Sequence, residues 1–256
     1  MRPYNSHIHA MNPPDQQSEF VFGRRPVFEL LQTRKRSLHK LWVVEGTGGG
    51  IIEDVLRLAR EQGIPIEWAR RERLDRMVPG HHQGLVAQAS ATLYVELGDF
   101  LKSAEAAKAL TLLALDEIQD PQNIGAILRA AAFFGVQAAV VPRWRSAPVG
   151  ETAARASSGA IEHLQMIRVG NLVQALDELR EAGFEILGAE AGGVPLWEHQ
   201  RSSRTVLVMG NEGKGLRRLV REHCDKLVGI PRQGRLDSLN VGAATAVFLY
   251  EFFRNQ

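Results

Sequence analysis

The chain alternates short apolar runs with longer amphipathic ones, and does so twice, on either side of a break near residues 91–109. In the first stretch, "RPVFELLQ" carries helical spacing with Pro26 in its first turn, where a missing N–H costs little. "KLWVVE" reads as a buried strand. "IIEDVLRLAREQG" is apolar at three- and four-residue intervals and predicts an amphipathic helix closed by Gly63. "IPIEWA" and "GLVAQAS" predict two further strands. In the second stretch, "LTLLALD", "AAVVP", "FEILGAE", "TVLVMG" and "KLVGIP" predict strands. Between them lie the helices "DPQNIGAILRAAAFFG" (Asp120 as N-cap, Pro121 at the first position, Gly135 as stop), "NLVQALDELREAG", "GLRRLVREHC" and "SLNVGAATAVFLYEFF". Wholly apolar strands that alternate with helices predict a parallel sheet covered on both faces. The fold class is therefore α/β. A flexible tail over 1–19 precedes a small α/β domain over 20–91, then a linker over 92–109 and a parallel-sheet domain over 110–256.

Composition changes this picture little. A chain of 256 residues buries one large core or two smaller ones. No run of about 18 apolar residues occurs, so no membrane span is expected. The opening "MRPYNSHIHAMNPPDQQSEF" lacks an apolar core of signal-peptide length, which points to the cytoplasm. The single cysteine, Cys224, allows neither an intrachain disulfide nor a multi-cysteine zinc site, and is expected to be a packing group rather than a nucleophile. The adjacent histidines of "GHHQG" are expected to point apart, with no third ligand suitably spaced, so no metal is expected.

Charge changes more. The net charge is +2, but residues 21–90 hold 12 Lys and Arg against 8 Asp and Glu, while residues from 91 onward hold 18 against 19. The densest basic run is "TRKRSLHK", residues 33–40. It is either a solvated loop or a contact with nucleic-acid phosphates. Arg24, Arg34, Lys35 and Arg36 are the candidates for such a contact.

Ligands of parallel sheets bind at the carboxyl ends of strands, in the loops that follow. That rule selects "DEIQDPQN", "GNEGKG" and "PRQGRLDSLN". The second loop resembles a phosphate loop but is not one. Gly215 follows Lys214 where a Walker loop needs Ser or Thr, and Arg218 stands where a dinucleotide fingerprint needs its third glycine. The three loops offer Asn123, Asn211, Glu212, Ser238 and Asn240, with Arg129 further along an otherwise apolar helix. Singly, each has a bland explanation as a cap, a turn or a surface charge. Their joint placement after successive strands points to one site.

"LDEIQDPQNIGAILRAAAFFG", "VLVMGNEGKGL" and "IPRQGRLDSLNVGAATAVFLYE" resemble, in order, the three motifs of the SpoU (TrmH-like) family of S-adenosylmethionine-dependent RNA ribose 2′-O-methyltransferases. "VGETAARASSGAIEHLQMIRV" resembles the family's intervening segment. The stretch from "FGRRPVFELL" to "HHQGLVAQAS" resembles the substrate-binding domain of the RlmB branch. The resemblance implies a SPOUT-type domain with a C-terminal trefoil knot, a homodimer, an RNA partner and no metal. It assigns Arg129 to the reacting ribose and its phosphate, with Asn123, Glu212, Ser238 and Asn240 positioning the nucleotide, the loops and Arg129. Glu212 is expected to pair with a cation or a hydroxyl. Gly210, Ile230 and Leu239 are the implied contacts of S-adenosylmethionine, made through backbone or apolar surface.

Three positions depart from the family pattern: Gly242 where Ser is common, Gln122 where His is common, and Ala130 where Thr is common. The missing hydroxyl at Gly242 is expected to loosen a helix–loop contact. The implied reaction is methylation of a ribose 2′-hydroxyl, most simply of a guanosine in large-subunit rRNA. The alternatives are the same chemistry on tRNA, or a non-catalytic RNA-binding ribosome-assembly factor. Antibiotic resistance by rRNA methylation would use the same chemistry for another purpose.

Overall fold

The computed structural model describes residues 18–144, 156–235 and 237–254. Residues 1–17 of the expected tail, 145–155 of the intervening segment and Leu236 of the third loop lie outside the described residues.

The N-terminal unit is a four-stranded mixed sheet built from β1 (Ser18–Phe22), β2 (Leu38–Val44), β3 (Ile66–Ala69) and β4 (Leu85–Ser90), in the order β1-β4-β2-β3. Only β2 and β3 run parallel. Helices α1 (Arg24–Thr33) and α2 (Ile51–Glu61) cover one face, where Val27, Leu30, Leu31, Ile52 and Val55 meet Leu41, Val43, Leu85 and Ala87. Helix α3 (Arg71–Met77) covers the other through Leu74, against Phe22, Trp42 and Val86. Gly63 ends α2 with φ 66, a left-handed turn that suits glycine. Ser18 and Glu19, expected in the tail, belong to β1.

The C-terminal unit is a seven-stranded sheet, parallel in every pairing, in the order β11-β9-β10-β6-β7-β8-β5. Its strands are β5 (Tyr94–Val95), β6 (Leu110–Leu115), β7 (Ala138–Pro142), β8 (Gln165–Val169), β9 (Glu185–Pro195), β10 (Arg204–Met209) and β11 (Lys226–Gly229). Successive strand residues face opposite sides, so each strand feeds two cores. Leu113, Leu115, Leu207 and Met209 meet α5 (Pro121–Phe133) and the last helix, α8 (Val241–Phe253). Leu112, Ala114, Val206 and Val208 meet α4 (Leu97–Ser103), α6 (Leu172–Glu181) and α7 (Arg218–Glu222).

Three expectations are corrected. The stretch 92–109, read as a linker, carries β5 and α4: Tyr94 and Val95 pair with β8, and Leu97 and Phe100 are buried in the second core. The helix expected over 215–224 shrinks to Arg218–Glu222, because Gly215 is held in a bridge to Asn211 and the Arg217 N–H is bound by Asp116. Helix α8 is capped by Asn240 rather than Ser238; the Asn240 Oδ1 accepts from the N–H groups of Gly242 (2.9 Å) and Ala243 (3.3 Å).

The strand order locates the site. The chain lays β6, β7 and β8 outward in one direction, then returns to place β9, β10 and β11 on the other side of β6. The reversal falls between β6 and β10, which pair from Arg204–Leu110 through Met209–Leu115. The loops leaving their carboxyl ends must diverge there and leave a crevice.

Candidate active site

Asp116, directly after β6, has no solvent exposure, and its carboxylate accepts from the Arg217 backbone N–H (2.8 Å) and Nε (2.6 Å). A buried carboxylate satisfied by both a guanidinium and an N–H holds the first loop to the second. The second loop closes on itself. Asn211 and Gly215 exchange backbone hydrogen bonds (3.1 and 2.8 Å), and Asn211 Nδ2 reaches the Glu117 carbonyl (3.1 Å). Glycine is required at 210, since a Cβ there would lie 2.4 Å from the Gly215 carbonyl carbon.

On this frame the Glu212 carboxylate gathers three segments. It accepts from Asn123 Nδ2 at the start of α5 (2.9 Å), from Asn240 Nδ2, and from the Val241 N–H that opens α8 (3.3 Å). Asn240 Nδ2 also donates to Asn123 Oδ1 (2.8 Å). Each amide thus serves both as cap or donor and as tie. The carboxylate also sits at a helix N-terminus, where the exposed N–H groups favour negative charge. The partners of Glu212 are two carboxamides and a main-chain N–H, not the expected cation or hydroxyl, and the carboxylate is exposed rather than buried.

The structure brings Asn123, Glu212 and Asn240 together and leaves two candidates apart. Ser238 is exposed and makes no hydrogen bond among the described residues. Arg129 lies six residues beyond Asn123 on α5, about 9 Å along the axis. Its guanidinium is exposed, and its one hydrogen bond among the described residues, Nη1 to Ser158 Oγ, is long at 3.4 Å. Gly210 is buried, Ile230 half-buried, and Leu239 51 % exposed. Gly242 is not a loosened contact: a Cβ there would lie 2.6 Å from the Ala126 Cβ, so glycine lets α5 and α8 touch.

The basic candidates divide. Arg34 ends α1 in a left-handed conformation and is exposed, as is Lys35. Arg24 is half-buried, with its Nε on the Gln83 carbonyl (3.2 Å). Arg36 does not present itself to a nucleic acid. It is 6 % exposed, and its guanidinium is filled by Glu162 (3.0 Å), Glu19 (3.1 Å), the Ser90 carbonyl (2.8 Å) and Thr92 (3.3 Å). It ties the two units together. Burial pushes the Glu162 carboxyl above its ordinary value, against the opposing pull of Arg36. His163 bonds Glu29 of α1 (2.9 Å) at the same junction.

The two adjacent histidines do point apart: His82 is buried between Asp75 and the Gly84 N–H, while His81 is exposed. Burial raises the Cys224 thiol to about 12, so it stays protonated at neutral pH and donates to the Val220 carbonyl (3.3 Å). Sequence reasoning missed Asp116, Ser158 and Glu162. For Asp116 a signal existed, an acid closing a wholly apolar strand. Nothing in the sequence marks the other two.

Residues 110–250 match the SpoU rRNA Methylase family, and residues 20–95 match the RNA 2′-O ribose methyltransferase substrate-binding family. YacO of Bacillus subtilis strain 168, a TrmH family tRNA/rRNA methyltransferase by name, is 41% identical over 243 residues, 94% of this chain and 97% of its own. A Staphylococcus aureus (strain COL) protein named to the same family is 35% identical over 238 residues, 92% of this chain and 96% of its own. Among solved structures, the SpoU methyltransferase AviRb of Streptomyces viridochromogenes, in complex with AdoMet, superposes with a TM-score of 0.77. It is 23% identical and covers 93% of this chain and 90% of its own. The likeness in fold joins two family matches that between them take in both units, and the chain belongs to the SpoU rRNA methylase family of RNA methyltransferases.

Proposed function

We propose that this enzyme transfers a methyl group from S-adenosylmethionine to a ribose 2′-hydroxyl of large-subunit rRNA, at a guanosine. The observation that carries the reading is the Asn123–Glu212–Asn240 cluster, which gathers three loops at the sheet's switch point, with Arg129 further along the helix that Asn123 opens. The residues present fit the methyl donor. The tight Gly210–Gly215 loop brings main-chain groups close, and Ile230 and Leu239 offer apolar surface for an adenosyl group. None of these groups asks for a phosphate. The cofactor-holding segment is the C-terminal knot that the family resemblance implies.

When bound, S-adenosylmethionine supplies a methyl group made electrophilic by its sulfonium. The chain's own residues supply placement, and holding nucleophile and methyl in line is where most of the acceleration arises. Arg129 clamps the RNA phosphate beside the reacting ribose through its forked N–H groups and stabilises the developing alkoxide. It does not remove the proton, because a guanidinium keeps its own. Asn123, Glu212 and Asn240 hold the loops still, and Ser238 is free to bond the nucleotide.

Two copies of the chain pair through the outer faces of α5 and α8. Phe133 (82 % exposed), Val247 and Tyr250 (59 %) make an apolar surface there on two touching helices. No helix among the described residues is long and apolar enough to cross a membrane, and the protein is read as cytoplasmic.

Purified protein incubated with methyl-labelled cofactor, rRNA and tRNA should place label on a ribose of large-subunit rRNA. Transfer to tRNA alone would keep the reaction and overturn the substrate. No transfer by protein that binds the cofactor would overturn the reaction.

A further inference from the structure

Ser158 holds its backbone at φ 54, in the left-handed region, and the next residue, Gly159, follows at φ 85. Glycine enters that region freely, whereas a serine there is strained by its own Cβ. At Gly159 the conformation and the space both demand glycine. A Cβ there would lie 2.9 Å from the Glu29 side chain and 3.0 Å from the Pro26 Cα. At Ser158 the backbone would be easier with glycine, yet a hydroxyl stands there. Strain retained at one residue points to a task for its side chain. The Ser158 Oγ accepts from Arg129 Nη1 (3.4 Å).

The hydroxyl sits on a segment gripped from two sides. Gly125 and Arg129 are four residues apart, so they share one face of α5. A Cβ on Gly125 would lie 2.2 Å from the Ala156 Cβ and 2.8 Å from the Ser157 N. Residues 156 and 157 are therefore laid on bare helix backbone, and Ser158 comes next, beside Arg129. The far side of the segment meets α1 of the N-terminal unit through Gly159. A short 3-10 turn, Ala160–His163, then carries two further ties: Glu162 to Arg36 (3.0 Å) and His163 to Glu29 (2.9 Å). Close contact on both faces and two ion pairs leave the segment little room to slide. The Ser158 Oγ is thus a fixed point next to a long, exposed side chain.

A guanidinium is planar, with its N–H groups in a rigid fork. A bond to one Nη1 hydrogen narrows the rotamers of Arg129 and leaves most of the fork for a phosphate. Serine suits this use, because its oxygen accepts without adding charge.

We infer that Ser158 is a positioning residue for methyl transfer: its hydroxyl, fixed between α1 and α5, aims the Arg129 guanidinium at the phosphate beside the reacting ribose. The inference rests on the role proposed for Arg129 and adds what holds that side chain in place. It also makes α1 of the N-terminal unit part of the support behind Arg129.

The test uses the full chain with S-adenosylmethionine and rRNA, and compares Ser158→Ala, Ser158→Gly and Ser158→Asn, each alone and the first also combined with Arg129→Ala. Ser158→Ala should lower kcat about tenfold through misalignment at the reacting atoms, while the KM for rRNA moves less than about threefold. Ser158→Gly relieves the backbone but has no hydroxyl, and should be as slow as Ser158→Ala. Ser158→Asn keeps an acceptor and tolerates the left-handed region, and should return to within about threefold of wild type. In the Arg129→Ala background Ser158→Ala should cost nothing more, since it acts through the missing guanidinium. The NMR order parameter of the Arg129 Nε–Hε group should fall in Ser158→Ala and recover in Ser158→Asn. A wild-type rate for Ser158→Gly, an equal loss with and without Arg129, or an unchanged order parameter would each overturn the inference. If the order parameter fell as expected but Arg129→Ala stayed fully active, or wild type moved no methyl, the fault would lie with the proposed role of Arg129 and not with its tie to Ser158.

Discussion

Arg36 and Arg129 have opposite settings in the sequence and exchange roles in the structure. Arg36 stands in the densest basic run of the chain; Arg129 stands alone in a nearly apolar helix. Arg36 is buried and filled by four partners, and Arg129 is exposed with one long hydrogen bond among the described residues. Local charge density therefore says little about which guanidinium is free to meet a phosphate. Two acids occupy Arg36, Glu19 and Glu162, 17 and 126 residues away, and no local reading of "TRKRSLHK" could find them. The single charge of an apolar helix is the better guide, because such a helix has few places to put a cation and α5 puts it outward.

That contrast can be broken from either side. Arg36→Ala strands Glu162 and should cost about 3–5 kcal/mol of folding stability, read by denaturant melts, as expected when one partner of a buried pair is removed. It should leave the salt dependence of RNA binding unchanged; a lost phosphate contact there would return Arg36 to the RNA surface. Arg129→Ala should do the reverse. Methyl transfer should fall on the order of 10²–10³-fold with the melting temperature unmoved, the size of effect seen when one well-placed donor is lost at a reacting oxygen. Activity within a few-fold of wild type would remove Arg129 from the reaction.

Smaller effects sharpen the account. Gly242→Ser restores the residue common in the family, yet its Cβ would press on Ala126, so a loss of about 1–3 kcal/mol is expected from overpacking. A stabilised variant would show that α5 and α8 can part without cost. The weakest effect is in pH. The Glu162 carboxyl is raised by burial, opposed chiefly by Arg36 and also by Lys35, with Glu19 adding to the rise. A carboxyl raised on folding gives stability that is complete below its unfolded value and fades as pH climbs through the folded one. Wild type should lose a little stability across that window, and Glu162→Gln should flatten the slope. A wild-type slope of opposite sign would mean that pairing with Arg36 outweighs burial.

Much of the fold was legible because period and punctuation agreed. The apolar runs of β6 and β10 and the Asp120–Pro121 start of α5 needed no tertiary information. What escaped depends on partners distant in sequence. Tyr94–Val95 is too short to read as a strand and exists only because β8 offers an edge. The N-terminal turn of the expected helix at 215 is taken by Asp116, 101 residues away. The polar residues of the three loops were legible as a set, and the structure joins Asn123, Glu212 and Asn240 directly. The identity of the Glu212 partners was not legible, since a carboxylate satisfied by amides looks the same in sequence as one awaiting a cation.

The proposed reaction needs the three loops at the β6–β10 switch point to hold a methyl donor within reach of Arg129. A crystal structure of the protein with S-adenosylmethionine tests it most directly. The donor should be bounded by Gly210, Ile230 and Leu239, its methyl group on the side open to Arg129. A donor bound elsewhere, or one whose methyl group faces away from α5, would contradict it.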